Sequence, residues 1–157
     1  MEHLSGAVVA TPSGSGISVL KGEVFSLKTS NDVVLARQRV RQWAIELRFS
    51  LVDQTKLMTA ASELARNALV HGKGGHMTIE NLVNGLRVGI RLIFEDQGPG
   101  IQDINQALRD GFTTGSGMGL GLGGSKRLVN EFSIESVVGT GTRITVGDSL
   151  HRLDSRD

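Results

Sequence analysis

Apolar residues in NDVVLARQRVRQWAIELRF fall at Val33, Ala36, Val40, Trp43, Ala44 and Leu47, the spacing of a helix with one buried face. Asn31 stands just before that pattern and predicts its N-cap. SLVD interrupts the period. DQTKLMTAASELARNALVHG resumes it, with Leu57, Ala61, Leu64, Ala65 and Ala68 on one face and Gly72 as the stop. The period then changes to two. GHMTIENLVNGLRVGIRLIFED reads as two strands around a turn at Asn84 and Gly85, and SIESVVGTGTRITVG as a second hairpin turning near Gly139 and Gly141. Upstream, ISVLKGEVFSL alternates imperfectly and predicts a strand or two. Between the hairpins lie a tight turn, QGPG, a short helix within IQDINQALRDGF, and a further helix over GGSKRLVNEF.

Helices followed by hairpins, without strict βαβ alternation, predict an α/β fold. The expectation is a two-layer sandwich, with a mixed, mostly antiparallel sheet and helices on one face. Residues 1–16 are small and polar, end in TPSGSG, and read as a flexible tail. Residues 17–148 form the expected domain, and 149–157 a polar C-terminal tail.

Composition narrows the chemistry. A formal net charge of +1, with 21% charged residues, argues against a dominant nucleic-acid footprint, which needs clustered Lys and Arg. With no cysteine there is neither a disulfide nor a thiolate metal site. No apolar run approaches the roughly 20 residues of a membrane span. MEHLSGAVVA lacks the basic flank of a signal peptide, so the expected compartment is the cytoplasm.

Glycine is abundant, at 21 of 157 residues, and six of the twelve residues from Gly115 to Lys126 are glycine. Such a run ahead of a helix suits close approach of the main chain to an anion, most often phosphate. GLGLGG satisfies the dinucleotide pattern G-x-G-x-x-G, but no strand precedes it. GLGLGGSK approaches the P-loop pattern, but Ser125 and Lys126 stand in the wrong order. A plain glycine linker would not place Met118, Leu120 and Leu122 between the glycines. The favoured reading is a loop that folds over a ligand and delivers phosphate to the N-terminus of the 124–131 helix.

Glu63 and Asn67 stand four apart on the second helix, at the border of its apolar stripe, with the small Ala60 one turn back. An Asn carbonyl suits Mg²⁺, which needs only one or two protein ligands when phosphate supplies others. The Glu could take a proton from an attacking hydroxyl or water. Spacing alone favours two ordinary solvated side chains. Asp96 sits where the apolar strand LIFED gives way to QGPG. It is either an Asx turn cap or a carboxylate that accepts the amino hydrogens of adenine and repels the O6 of guanine. Gly98 and Gly100 would let a base lie against the main chain. His71 fits a helix C-terminus, while Lys73 and Lys126 are either solvated or within reach of phosphate.

Taken together, ELARN, EDQGPGI, GMGLGLGG and GTGTRI resemble the N box and glycine boxes of the GHKL, or Bergerat-fold, ATPase superfamily. VDQTKLMTAASELARN, FEDQGPGI, DGFTTG and GLGLGGSKRLVNEFSIESVVGTGT are similar more narrowly to the small anti-sigma-factor serine/threonine kinases, above all the RsbT-type switch kinases of the stressosome. The resemblance runs from about Phe25 to Val146, though NALVHGKG is nearer the anti-sigma branch. It implies the histidine-kinase-like ATPase fold and use of ATP with Mg²⁺. It assigns Glu63 as general base, Asn67 as Mg²⁺ ligand and Asp96 as the adenine contact, with Gly98 and Gly100 shaping that pocket. Gly117, Gly119 and Gly121 would form the lid over the phosphates, and Thr142 would support the base. The implied partners are a STAS-domain antagonist as phosphoacceptor and a PP2C-type phosphatase that the released kinase activates, with no nucleic acid and no membrane. The competing expectation is an anti-sigma factor or nucleotide-gated binding module without essential phosphotransfer.

Overall fold

The computed structural model describes residues 16–109 and 121–152. Five strands form one sheet in the order β1-β2-β3-β5-β4: β1 (Ser18–Leu27), β2 (Gly75–Asn84), β3 (Arg87–Asp96), β4 (Glu131–Val137) and β5 (Gly141–Arg152). Every pairing is antiparallel, so the sheet is not mixed. Helices α1 (Ser30–Glu46), α2 (Leu51–Val70), α3 (Ile104–Ala107) and α4 (Gly121–Leu128) complete the second layer.

The register explains the core. Successive side chains of a strand point to opposite faces, and the helix-covered face is built in rows. Met77, Phe94, Ile144 and Ile134 make one row across four strands, and Ile79, Leu92, Val146 and Phe132 the next. All eight are buried, in one cluster with Val33, Ala36, Val40, Trp43 and Ala44 of α1 and Leu57, Ala61, Leu64, Ala65 and Ala68 of α2. The row above them is different: Gly75, Asp96, Thr142 and Ser136. The sheet thus ends its apolar face in a polar row, beside the last turn of α2.

Several element boundaries differ from the sequence expectation. The N-cap of α1 is Thr29, not Asn31. Thr29 Oγ1 accepts from the Asp32 N–H at 3.1 Å, and the Asp32 carboxylate takes the N–H groups of Lys28 at 2.8 Å and Thr29 at 3.1 Å. This reciprocal box satisfies several free donors at once and holds the Asp32 carboxyl below its usual range, the Lys28 N–H first among the causes. Ser50, not the SLVD segment as a break, caps α2, accepting from the Asp53 N–H at 3.1 Å. Asn84 pairs with Arg87, so the first hairpin turns through Gly85 and Leu86, with Gly85 at a φ of 63°.

α4 begins at Gly121, within the glycine run, and ends at Leu128. Glu131 and Phe132, read from sequence as helical, instead open β4, because Phe132 and Ile134 alternate into the core opposite Val146 and Ile144. β5 runs to Arg152, past residue 148, where a polar tail was expected. β3 begins at Arg87 and offers a ladder partner that far along. The tail expected over 1–16 lies outside the described residues up to residue 15, as does the C-terminal tail from 153. Among the described residues, no helix is long and apolar enough to cross a membrane.

Candidate functional site

α2 carries its apolar stripe into the core and leaves Glu63 and Asn67 on the flank of that stripe. Ala60, Leu64 and Ala68 are buried, while Glu63 and Asn67 are half-buried. The Glu63 side chain is only 16% exposed and lies 3.2 Å from the Arg66 guanidinium. α4 packs against the same helix. At 1.5 Å per residue, Glu63 stands about 13 Å along α2 from Gly72, with Asn67 between them.

The helix ends on the strand that carries the acid. The main-chain carbonyl of Asn67 takes the N–H groups of both His71 at 2.9 Å and Gly72 at 3.1 Å. Gly72 then passes so close to β3 that a Cβ there would lie 2.3 Å from Asp96 Cγ. Gly98 closes the contact from the other side, since a Cβ on it would meet Gly72 Cα at 2.6 Å. Only residues without a side chain permit this approach. Gly100 has a φ of 78°, and a Cβ there would meet the Val137 carbonyl at 2.4 Å. The 97–101 turn is thereby pressed onto the β4–β5 hairpin, where the Gly139 N–H also donates to the Pro99 carbonyl at 2.8 Å.

Asp96 is both a turn cap and a candidate ligand. Its Oδ1 accepts the Gly98 N–H at 3.0 Å, and its carboxylate also takes the Thr142 N–H. Burial pushes its carboxyl above the ordinary value, and those two hydrogen bonds only partly oppose the shift. A carboxylate has room for about four hydrogen bonds, so acceptor capacity remains for a ligand. Thr142, its register partner, is buried and joined to Ser136, Oγ to Oγ1, at 2.8 Å.

The other expected positions divide as follows. Gly121 lies within α4, three residues before the helix start expected at 124. Gly117 and Gly119 lie outside the described residues. His71 is the C-cap of α2, and Lys73 and Lys126 are exposed. Sequence reasoning missed Gly72 as a contact of Asp96, Gly141, whose Cβ would meet the Asp96 carbonyl at 2.1 Å, and Ser136. The only available signal for Ser136 was its position opposite Thr142 across the second hairpin.

Among the described residues there is no group of three or more His, Asp or Glu side chains that could cage a metal. The side-chain oxygen of Asn67 suits Mg²⁺ held through one or two protein atoms, the rest of its shell coming from phosphate and water.

A profile of the "Histidine kinase-, DNA gyrase B-, and HSP90-like ATPase" family matches residues 52–150. The chain is 48% identical over 118 residues to serine/threonine-protein kinase RsbT of Bacillus subtilis (strain 168), covering 75% of this chain and 89% of that one. It is 31% identical over 128 residues to an anti-sigma F factor of Thermoanaerobacter sp. (strain X514), covering 78% and 88%. The crystal structure of the RsbU and RsbW domains of a Mycobacterium tuberculosis protein superimposes with a TM-score of 0.59 at 22% identity. That match covers 85% of this chain but 33% of that one, and shows the shared fold. An antiparallel five-stranded sheet with helices on one face, an acid at the end of β3 and a matching profile over most of the domain agree: this chain belongs to the histidine kinase-, DNA gyrase B- and HSP90-like ATPase family, the GHKL ATPases.

Proposed function

We propose that this protein is an ATP-dependent serine/threonine protein kinase of a partner-switching pathway. The observation that carries the proposal is the seating of Asp96 against the C-terminal end of α2, the helix that presents Asn67 and Glu63 at successive turns. A nucleotide laid along α2 would put its base at Asp96 and its phosphates toward Glu63. The identity to a named serine/threonine-protein kinase supports the same reading.

In that reading Asp96 accepts the amino hydrogens of adenine, with Gly98 and Gly100 shaping the pocket by letting the 97–101 turn pack against Gly72 and Val137, and Thr142 beside it. Asn67 would hold Mg²⁺, which, when bound, offsets phosphate charge. Gly117, Gly119 and Gly121 would cover the phosphates. A partner's serine or threonine oxygen attacks the γ-phosphorus in line as its bond to the β–γ bridging oxygen breaks. Glu63 takes the hydroxyl proton and ADP leaves. The phosphoacceptor is a STAS-domain antagonist, and the kinase it releases binds and activates a PP2C-type phosphatase. The site of action is the cytoplasm.

Incubation with labelled ATP and a STAS-domain partner tests this. Wild type labels the partner and Glu63→Ala does not. Label transfer that survives Glu63→Ala removes the catalytic assignment. A second reading, a sigma-binding module gated by nucleotide, is favoured by the identity to the anti-sigma F factor. It is the outcome if the chain binds ATP and a partner yet transfers no phosphate. Phosphate release without a partner would mark a simple hydrolase.

A further inference from the structure

The polar row that ends the sheet holds a hydroxyl pair whose hydrogens can be assigned. Ser136 Oγ has three neighbours. The Ile101 N–H donates to it at 2.8 Å, the Gly141 carbonyl lies at 3.1 Å, and Thr142 Oγ1 at 2.8 Å. A serine hydroxyl has one hydrogen and two lone pairs. A carbonyl can only accept, so the Ser136 hydrogen goes to Gly141. The Ile101 N–H takes one lone pair, and the other is left for Thr142, which must donate. No other arrangement makes all three contacts hydrogen bonds. Ser136 is 4% exposed and Thr142 6%, so a lost bond here is not made good by bulk water and is costly.

This fixes what Thr142 offers to its neighbourhood. With its one hydrogen committed to Ser136, Thr142 Oγ1 shows only lone pairs. Asp96, its register partner on the same face, also shows only acceptor oxygens when ionised. Two acceptors side by side attract an amino donor and repel a carbonyl.

We propose that Ser136 is a specificity-determining positioning residue, which holds the Thr142 hydroxyl as an acceptor and so makes the site select a 6-amino purine over a 6-oxo purine. The inference rests on the reading of Asp96 as the adenine contact and adds a residue that touches no ligand. Without the Ser136 hydroxyl, Thr142 is free to rotate and can donate to a purine O6, so the 6-oxo base is no longer refused by both partners.

The test is isothermal titration of the full chain, in magnesium, with ATP and with inosine triphosphate, which carries O6 in place of the amino group. Wild type prefers ATP. Ser136→Ala lowers the ATP-to-ITP affinity ratio by about tenfold or more, with ITP gaining relative to ATP. Ser136→Cys, close in size and a weaker hydrogen-bonding group, moves the ratio the same way and serves if the Ala variant does not fold by circular dichroism. In a Thr142→Val background, Ser136→Ala changes the ratio no further, which a purely structural role for Ser136 would not produce. An unchanged ratio in folded Ser136→Ala or Ser136→Cys, with wild type still discriminating, overturns the inference and leaves the adenine reading standing. Equal wild-type affinity for the two nucleotides, or none for ATP, overturns the adenine reading and the inference with it.

Discussion

Gly72 and Asp96 meet where α2 ends on β3: a Cβ on residue 72 would lie 2.3 Å from Asp96 Cγ and 2.5 Å from its Oδ2. The contact holds the C-terminal end of the helix carrying Asn67 and Glu63 against the carboxylate assigned to the base, and so ties together the two ends of the proposed nucleotide site. Gly72→Ala must push that carboxylate aside. ATP affinity, measured by titration calorimetry, is expected to fall by about tenfold or more, in line with the sensitivity of bound geometry to shifts near 1 Å. A Gly72→Ala protein that folds and binds ATP like wild type would show that Asp96 is not held in place for a ligand.

Leu64 lies on the buried face of α2, beside Glu63 in sequence, with no exposed surface. It packs in the cluster with the β2 and β3 side chains and fixes the roll of the helix. Leu64→Ala is expected to cost about 2–5 kcal/mol of unfolding free energy, read as a lower midpoint in urea with an unchanged slope. Ser62→Ala, one turn-fraction away on the same helix and outside the cluster, is expected to cost far less. Similar losses for both would mean the stripe does not anchor α2.

Much of this was legible in the sequence because periodicity reports burial. Val33 through Ala44 and Leu57 through Ala68 are buried where their spacing placed them. The two hairpins were marked by Gly85 and by Gly139 with Gly141. Boundaries were less legible where a cap outcompetes a pattern. Thr29 is exposed and apolar residues do not mark it, yet its exchange of bonds with Asp32 starts α1 before Asn31. The GGSKRLVNEF segment read as one helix through Phe132. The sheet overrides it by pairing Phe132 with Val146. At the candidate site, Glu63 and Asn67 were marked by their four-residue spacing and Asp96 by its place at the end of an apolar strand. Gly72 and Ser136 were not, since their importance lies in contacts with segments distant in sequence.

Asp96 links the site to pH. Its folded carboxyl is raised above the 3.8 of a free aspartate, mainly by burial. The folded protein therefore holds this proton at pH values where the unfolded chain has released it. The contribution is fully present below the unfolded value and is lost as pH rises through the raised folded value. Thermal melts of the nucleotide-free protein are expected to show wild type gaining stability relative to Asp96→Asn as pH falls from 7 toward 4. A difference that is flat or opposite in sign would mean the carboxyl is not raised.

Nucleotide binding reverses that balance. An amino donor placed on Asp96 favours the charged form, so binding pulls the carboxyl back down. ATP affinity should then weaken as pH falls through the raised value, with a proton released on binding in that range. Because the phosphates titrate too, the comparison is between wild type and Asp96→Asn. The extra proton release, read from binding heats in buffers of different ionisation enthalpy, is expected in wild type alone. Equal proton release in both proteins would remove Asp96 from contact with the base.

Glu63 and Asn67 stand at successive turns of α2, and their assigned roles separate in one set of measurements. A general base acts only as the phosphoryl group moves, so Glu63→Gln keeps the size and hydrogen-bonding reach of the side chain while removing its basicity. Transfer to the partner is expected to slow by about 10²–10⁴-fold, with ATP affinity within a few-fold of wild type. Asn67→Ala removes the side-chain oxygen assigned to the metal, and the buried Leu64 and Ala68 beside it on α2 offer no replacement. Its expected signature is the loss of the magnesium dependence of ATP binding, with affinity in the presence of the ion falling toward that measured in chelator. Rate and affinity thus split between two residues one turn apart. A Glu63→Gln protein that loses affinity and transfer together would instead make Glu63 a binding group, and would move the proton acceptor elsewhere.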